Sequence, residues 1–265
     1  MKIDLVLTAC TIDDHYLNLV PLAHKIWKTR FNLELVVILI VPLPNTPMPS
    51  QLESIKSSVK PFVCPSNMHP AFVSQTIRVL YPALFHNQNI LTTDADIFPI
   101  SLGYFVDTIA DINQSTSPNV FVTYRDKYIV NHMYAICYNI ASSSVWQDVF
   151  NIKSEQDITA TLEAWYDPVY DGKKNCTGWF TDQLMLFQYV NEWNKTTSNP
   201  LVILQDKTTG FNRLDKRSKQ HILANCDQVV SGIMAYTDFH VIAPYKRYAK
   251  LIHLICDRIC SSDVC

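Results

Sequence analysis

Asp94 and Asp96 stand two residues apart in the segment NILTTDADIFPIS, just past a short apolar run. Alternate residues of an extended chain point the same way, so both carboxylates can reach one ion. Hard oxygen ligands of this kind suit Mg2+ or Mn2+ bridging a diphosphate. Asp-x-Asp alone is a weak pattern, and a pair of turn-capping aspartates is the competing explanation. Position gives the pair its weight. In open α/β sheets, ligands sit in the crevice beyond the carboxyl ends of strands, and this pair would lie at such an end.

The surrounding chain carries the elements needed to hold it there. Leu5 to Leu7 reads as a short strand, and His15 to Arg30 as a helix with Leu19, Leu22, Ala23 and Ile26 at helical spacing. Leu35 to Val41 is a continuous apolar run, as expected of a strand buried on both faces. A proline-rich loop follows, then a short helix over Gln51 to Val59 and a weak strand at Phe62 to Cys64. Ala71 to Phe85 carries a helical stripe of Val73, Ile77, Leu80 and Leu84 that Pro82 ends or kinks. Asn89 to Thr93 is the next strand.

This alternation predicts an α/β chain, a mostly parallel central sheet flanked by helices. The second half is less regular. Strands are expected at Val120 to Thr123, His132 to Tyr138 and Leu201 to Leu204. Helices are expected over Ser142 to Phe150, Ser154 to Trp165, Thr181 to Trp193 and Tyr245 to Ile259. With no internal repeat and no flexible linker, residues 1–265 are expected to form one domain, residues 1–100 one functional half and 101–265 the other.

Composition narrows how phosphate could be handled. Only 5 of the 265 residues are glycine, about 2% where about 7% is usual. No two of them have the spacing of a P-loop or a dinucleotide-binding fingerprint. A net charge of −2 without a basic block argues against nucleic acid as a partner. Asp4 interrupts what would have to be a signal-peptide core, and the longest apolar run is far short of a membrane span. The reading is a cytoplasmic protein with no membrane span. The 8 cysteines are scattered without a Cys-x-x-Cys pair. They read as free thiols rather than a disulfide or zinc framework, with the tail trio Cys256, Cys260 and Cys265 as a less favoured metal or redox cluster. Asn113, Asn175 and Asn194 lie in glycosylation sequons, which carry no meaning in a cytosolic protein.

Four short motifs in order resemble one family. A helix carrying Arg78 and reaching Pro82 precedes the Asp94/Asp96 strand. The first strand leads into TIDDHYL, with Asp13, Asp14, Tyr16 and Leu17. GWFTDQLML supplies Asp182 and Gln183 at a helix start. YTDFHVIAPYKRY supplies His240, followed by Pro244, Lys246 and Arg247. Together, from Leu5 to about Tyr248, they resemble the GT-A-fold nucleotide-sugar glycosyltransferases, specifically the retaining glycogenin and lipopolysaccharide-galactosyltransferase-like family.

The resemblance implies a single Rossmann-like GT-A domain that moves a sugar from a nucleotide diphosphate, a UDP-sugar being favoured, to a hydroxyl of a glycan or glycoprotein acceptor. It implies Mn2+ (or Mg2+) on Asp94, Asp96 and His240, with Asp238 as an alternative ligand or support. Thr8, Ala9, Asp14 and Tyr16 would face the base and ribose. Arg78 and Lys246, with Arg247, would meet the diphosphate or, for Arg78, hold Asp94. Under retention, Gln183 would sit beneath the anomeric carbon while Asp182 positions sugar hydroxyls. Under inversion, Asp182 would be the general base. Trp165, Trp179 and Phe180 could line an acceptor platform or simply fill the core.

Other readings stay open. A sugar-phosphate nucleotidyltransferase would need a glycine-rich loop after the first strand, and TACTIDD has none. A non-catalytic nucleotide-sugar or glycan binder, or a glycoside hydrolase, is weaker.

Overall fold

The computed structural model describes residues 1–112, 119–197 and 200–261. The Asn113 sequon and Cys265 lie outside the described residues. The strands are β1 (Leu5–Thr11), β2 (Leu35–Val41), β3 (Val59–Val63), β4 (Asn89–Thr92), β5 (Ile97–Pro99), β6 (Phe121–Thr123), β7 (Asn139–Ser142), β8 (Leu201–Ile203), β9 (Arg213–Leu214) and β10 (Asp238–His240). The first helices are α1 (Asp14–Phe31), α2 (Pro70–Leu80), α3 (Thr108–Ala110), α4 (Ser143–Phe150) and α5 (Glu155–Trp165). They are followed by α6 (Thr181–Thr197), α7 (Asp206–Thr209), α8 (Lys219–Ala224), α9 (Cys226–Ser231) and α10 (Tyr245–Ser261).

Seven strands form one sheet in the order β3-β2-β1-β4-β7-β6-β8. β1 to β4 run parallel, β7 runs antiparallel to both its neighbours, and β8 is parallel to β6. The mostly parallel α/β expectation is met. β2 shows why the run from Leu35 to Val41 is apolar throughout. Leu35, Val37, Leu39 and Val41 enter the core beneath α1 and α10, whereas Val36, Ile38 and Ile40 enter the one beneath α2, α4, α5 and α6. A strand covered on both faces has no polar side to show.

Three strands too short to leave a periodic pattern make a second sheet, β5-β10-β9. β10 pairs antiparallel with β5, His240 opposite Ile97, and parallel with β9. The Asp96 carbonyl accepts from Val241 N at 2.9 Å. This sheet carries the end of the chain back to the aspartates after β4.

One expected strand is absent. His132 to Tyr138 begins and ends in left-handed backbone, φ 56° at His132 and 70° at Tyr138, which breaks an extended run. Asn139 Nδ2 donates to the carbonyls of Ala135 at 2.9 Å and Ile136 at 3.1 Å, fixing the segment as a turn. The strand starts only at Asn139. Ser50–Ser58 is a 3-10 helix, and Pro82 ends α2 by converting its last turn to 3-10. Among the described residues, no helix is long and apolar enough to cross a membrane.

Candidate active site

A cleft of about 1080 Å³ opens beyond the carboxyl ends of β1, β2 and β4. Its walls bring together Ala9, Tyr16, Arg78, Asp94, Asp96, Asp182, Gln183 and His240 from distant parts of the chain. The parallel strand ends supply the floor, as expected for a doubly covered α/β sheet.

Arg78 organises one wall. It projects from the buried side of α2 and is only 7% exposed. Its Nη1 pairs with Asp94 Oδ1, and its Nη2 lies 3.6 Å from Asp182 Oδ2. Asp182 sits in the first turn of α6, where Gln183 N donates to its Oδ1 at 2.8 Å. Burial pushes the Asp182 carboxyl from its ordinary 3.8 up to about 7, against the opposing pull of Arg78 and the Gln183 N–H. A buried carboxyl holding a proton near neutrality is suited to exchanging it.

The opposite wall is built on Asp96. Its Oδ2 accepts from Lys216 Nζ at 2.8 Å and lies 3.2 Å from His240 Nε2. Burial would raise the Asp96 carboxyl, but His240 and Lys216 hold it well below the usual carboxylate range. Burial would likewise lower the His240 imidazole, but the carboxylates of Asp215 and Asp96 raise it. Asp215 Oδ2 stands 3.8 Å from His240 Nδ1, on the side of the ring away from Asp96. At that distance the two form an ion pair rather than a hydrogen bond.

A divalent ion fits these residues in a specific way. Asp96 Oδ2 and His240 Nε2 are 3.2 Å apart, close to the ~3 Å between adjacent ligands on an ion with bonds near 2.1 Å. Among the described residues, no three His, Cys, Asp or Glu side chains converge to enclose a metal. A Mg2+-like ion needs no such cage, since it takes one or two protein carboxylates and completes its shell with phosphate and water. The donor set, oxygen and imidazole, also suits Mn2+.

No family model matches the sequence, and no curated protein matches it. Two glycosyltransferases are among the solved structures with a similar fold. One is the glycosyltransferase GlyE of Streptococcus pneumoniae TIGR4, 14% identical, with a TM-score of 0.49; the match covers 99% of this chain and 61% of that one. The other is the galactosyltransferase LgtC in complex with donor and acceptor sugar analogs, 9% identical, with a TM-score of 0.48, covering 94% of this chain and 95% of that one. Both of those proteins are glycosyltransferases.

The other expected site residues divide. Ala9 and Tyr16 line the cleft. Thr8 is fully buried in β1 beneath it. Asp14 and Lys246 pair with each other at 2.8 Å on the exposed surface, so the expectation that they face a donor is not met. The reason is local. Asp13 is the N-cap of α1, accepting from His15 N at 2.8 Å, and it lines the cleft; Asp14 begins the helix and points away. Asp94 is drawn to Arg78 rather than into the Asp96–His240 pair.

Asp238 is no ligand. It is fully buried, accepting from Arg213 Nη2 at 2.6 Å and Tyr138 Oη at 2.8 Å. Trp179 lines the cleft, stacked at 4° on Tyr170, whereas Trp165 packs on Phe150 and Tyr189 in the core. Phe180 is half-exposed beside the cleft wall. Cys256 is buried on α10, and the described cysteines are free thiols. Lys216 and Asp215 went unread in the sequence because RLDKRS looks like an ordinary charged loop.

The rim near Trp179 depends on Gly172. Its φ of +75° disfavours a side chain, and a Cβ there would lie 2.5 Å from the His69 ring. That ring caps α2 by accepting from Ala71 N at 3.2 Å. Gly172→Ala should cost about 1–3 kcal/mol, read as a lowered urea midpoint with unchanged slope. An unchanged midpoint would show that the rim does not need this glycine.

Proposed function

We propose that this chain is a GT-A glycosyltransferase of the retaining kind. It takes a nucleotide-diphosphate sugar, UDP-sugars being the first class to test, and a divalent ion, Mn2+ or Mg2+. It moves the sugar to a hydroxyl on a glycan or glycoprotein. The observation that carries this reading is one cleft joining the Asp96–His240 pair to the Arg78–Asp94–Asp182 group and Gln183 beyond the sheet's carboxyl edge.

Asp96 and His240 would hold the ion, with the Asp215 carboxylate on the far side of the imidazole ring. When bound, such an ion supplies Lewis-acid neutralisation of the charge that develops on the leaving diphosphate. Arg78 keeps Asp94 and Asp182 from repelling an anionic donor. Asp182 would hold sugar hydroxyls and Gln183 would sit beneath the anomeric carbon. Trp179, stacked on Tyr170, offers an aromatic face for an acceptor sugar.

A second reading is inversion, with Asp182 as general base. A carboxyl at about 7 is near the optimum for that role. The anomeric configuration of the product, read by NMR, separates the two. A non-catalytic relative would bind donor and never release nucleoside diphosphate.

The test is incubation with Mn2+ and a panel of nucleotide sugars, following release of the nucleoside diphosphate. Asp96→Asn should weaken Mn2+-dependent donor binding by about 100-fold. Equal donor binding by this variant and the wild type, measured by calorimetry, would remove the proposed ion site.

A further inference from the structure

We infer that Lys216 is a tethered cation that occupies Asp96 when the cleft holds no ligand and passes to the diphosphate when donor and metal arrive. The inference rests on the function proposed above, and it concerns how the site is kept and filled.

Lys216 Nζ and His240 Nε2 share one oxygen, Asp96 Oδ2, at 2.8 and 3.2 Å. A divalent ion bound there would put its two charges beside the ammonium, so lysine and ion would compete for that oxygen. The base of Lys216 is firmly held. Arg213, three residues earlier on β9, is bound through Nε at 2.8 Å and Nη2 at 2.6 Å to the buried Asp238 on the neighbouring strand. Asp215 caps the following turn by accepting from Arg217 N at 2.8 Å.

The tip is free to move. The Lys216 side chain is 38% exposed at the cleft wall, against 13% for its partner Asp96. An ammonium on a four-carbon stem is a mobile point charge with a reach of several ångströms. Displaced from Asp96, it remains at the cleft wall, where an incoming diphosphate would offer it a new partner. The surface Lys246, tied to Asp14, does not line the cleft. Lys216 therefore serves two states in turn. It satisfies a buried carboxylate in the empty cleft, and it adds positive charge to the filled one.

The experiment compares wild type, Lys216→Met and Lys216→Arg by calorimetry, using Mn2+ alone and then UDP in saturating Mn2+. Removing the competing cation should tighten Mn2+ binding about tenfold in Lys216→Met. Removing the phosphate partner should weaken UDP binding about tenfold in the same protein. Lys216→Arg, which keeps the charge, should stay near wild type for Mn2+. Unchanged or weaker Mn2+ binding by Lys216→Met, with UDP still bound, overturns this inference alone. Tighter Mn2+ binding with unaltered UDP affinity overturns it too, as does Lys216→Arg behaving like Lys216→Met. Failure of all three proteins to bind either Mn2+ or UDP overturns it together with the proposed function.

Discussion

Arg78→Met should lower the stability of the protein by about 3–5 kcal/mol, the usual cost of removing one partner from a buried ion pair. The guanidinium is almost wholly enclosed and stands between two carboxylates, Asp94 and Asp182. Methionine fills much of the same volume, so the loss would come from two acidic groups left facing each other rather than from a void. Unfolding in urea would show it as a midpoint shift, smaller at pH 5 than at pH 8 because acid lets Asp182 take a proton. Arg78→Lys should recover part of the loss, since an ammonium restores charge without the forked geometry that can serve two partners. An unfolding free energy within 1 kcal/mol of wild type at pH 8 would mean that Asp94 and Asp182 do not depend on Arg78.

Asp182→Asn carries the other large effect, with opposite signs for stability and activity. The folded protein holds this carboxyl at about 7, against an ordinary value of 3.8. Between those values the folded state binds a proton that the unfolded state has released, so stability falls as pH rises from about 4 to about 7. The full cost at pH 8 is as much as ~4 kcal/mol. Asparagine, which never ionises, should remove that cost and flatten the pH dependence of the urea midpoint over the same range. Under the proposed function, the same substitution should reduce sugar transfer by about 100-fold or more. If the ionised carboxylate is the working form, wild-type turnover should rise with pH through about 7. A variant that is neither more stable at pH 8 nor slower in turnover would contradict both the burial argument and the assigned role.

The parts of the fold that repeat a period were legible from the residues. β2 and α1 announce themselves because burial on two faces, or on one helical stripe, leaves a pattern seven or more residues long. The sheet of β5, β9 and β10 left none. Two or three residues cannot establish an alternation, and β5 lies more than a hundred residues before β9 and β10. His132 to Tyr138 misled for the opposite reason. It is apolar enough for a strand, yet the left-handed Tyr138 is held by tertiary contacts, its N–H donating to the Thr92 carbonyl and its hydroxyl to Asp238, both at 2.8 Å.

At the cleft, motif order placed Asp94, Asp96, Arg78, Asp182, Gln183 and His240 along one cavity. It did not show which cation each aspartate would choose. Arg78 and Lys216 claim Asp94 and Asp96 through contacts spanning 16 and 120 residues. Such choices depend on where helices and turns end in space. The same limit explains Asp14. Adjacent aspartates look equivalent in a string of letters, and only the start of α1 decides that Asp13 faces inward.

The small sheet has a consequence for how the protein is made. Asp96 and His240, whose contact builds the proposed ion position, are separated by 144 residues. At ordinary ribosomal speeds the second emerges roughly 10–30 s after the first. For most of that interval the nascent chain can assemble β1 to β4 and the floor of the cleft, while Asp96 has neither its lysine nor its imidazole; the lysine arrives 24 residues before the histidine. Under the proposed function, a growing chain would lack its ion position until β10 docks, so the capacity to bind an ion would arrive only as the fold closes.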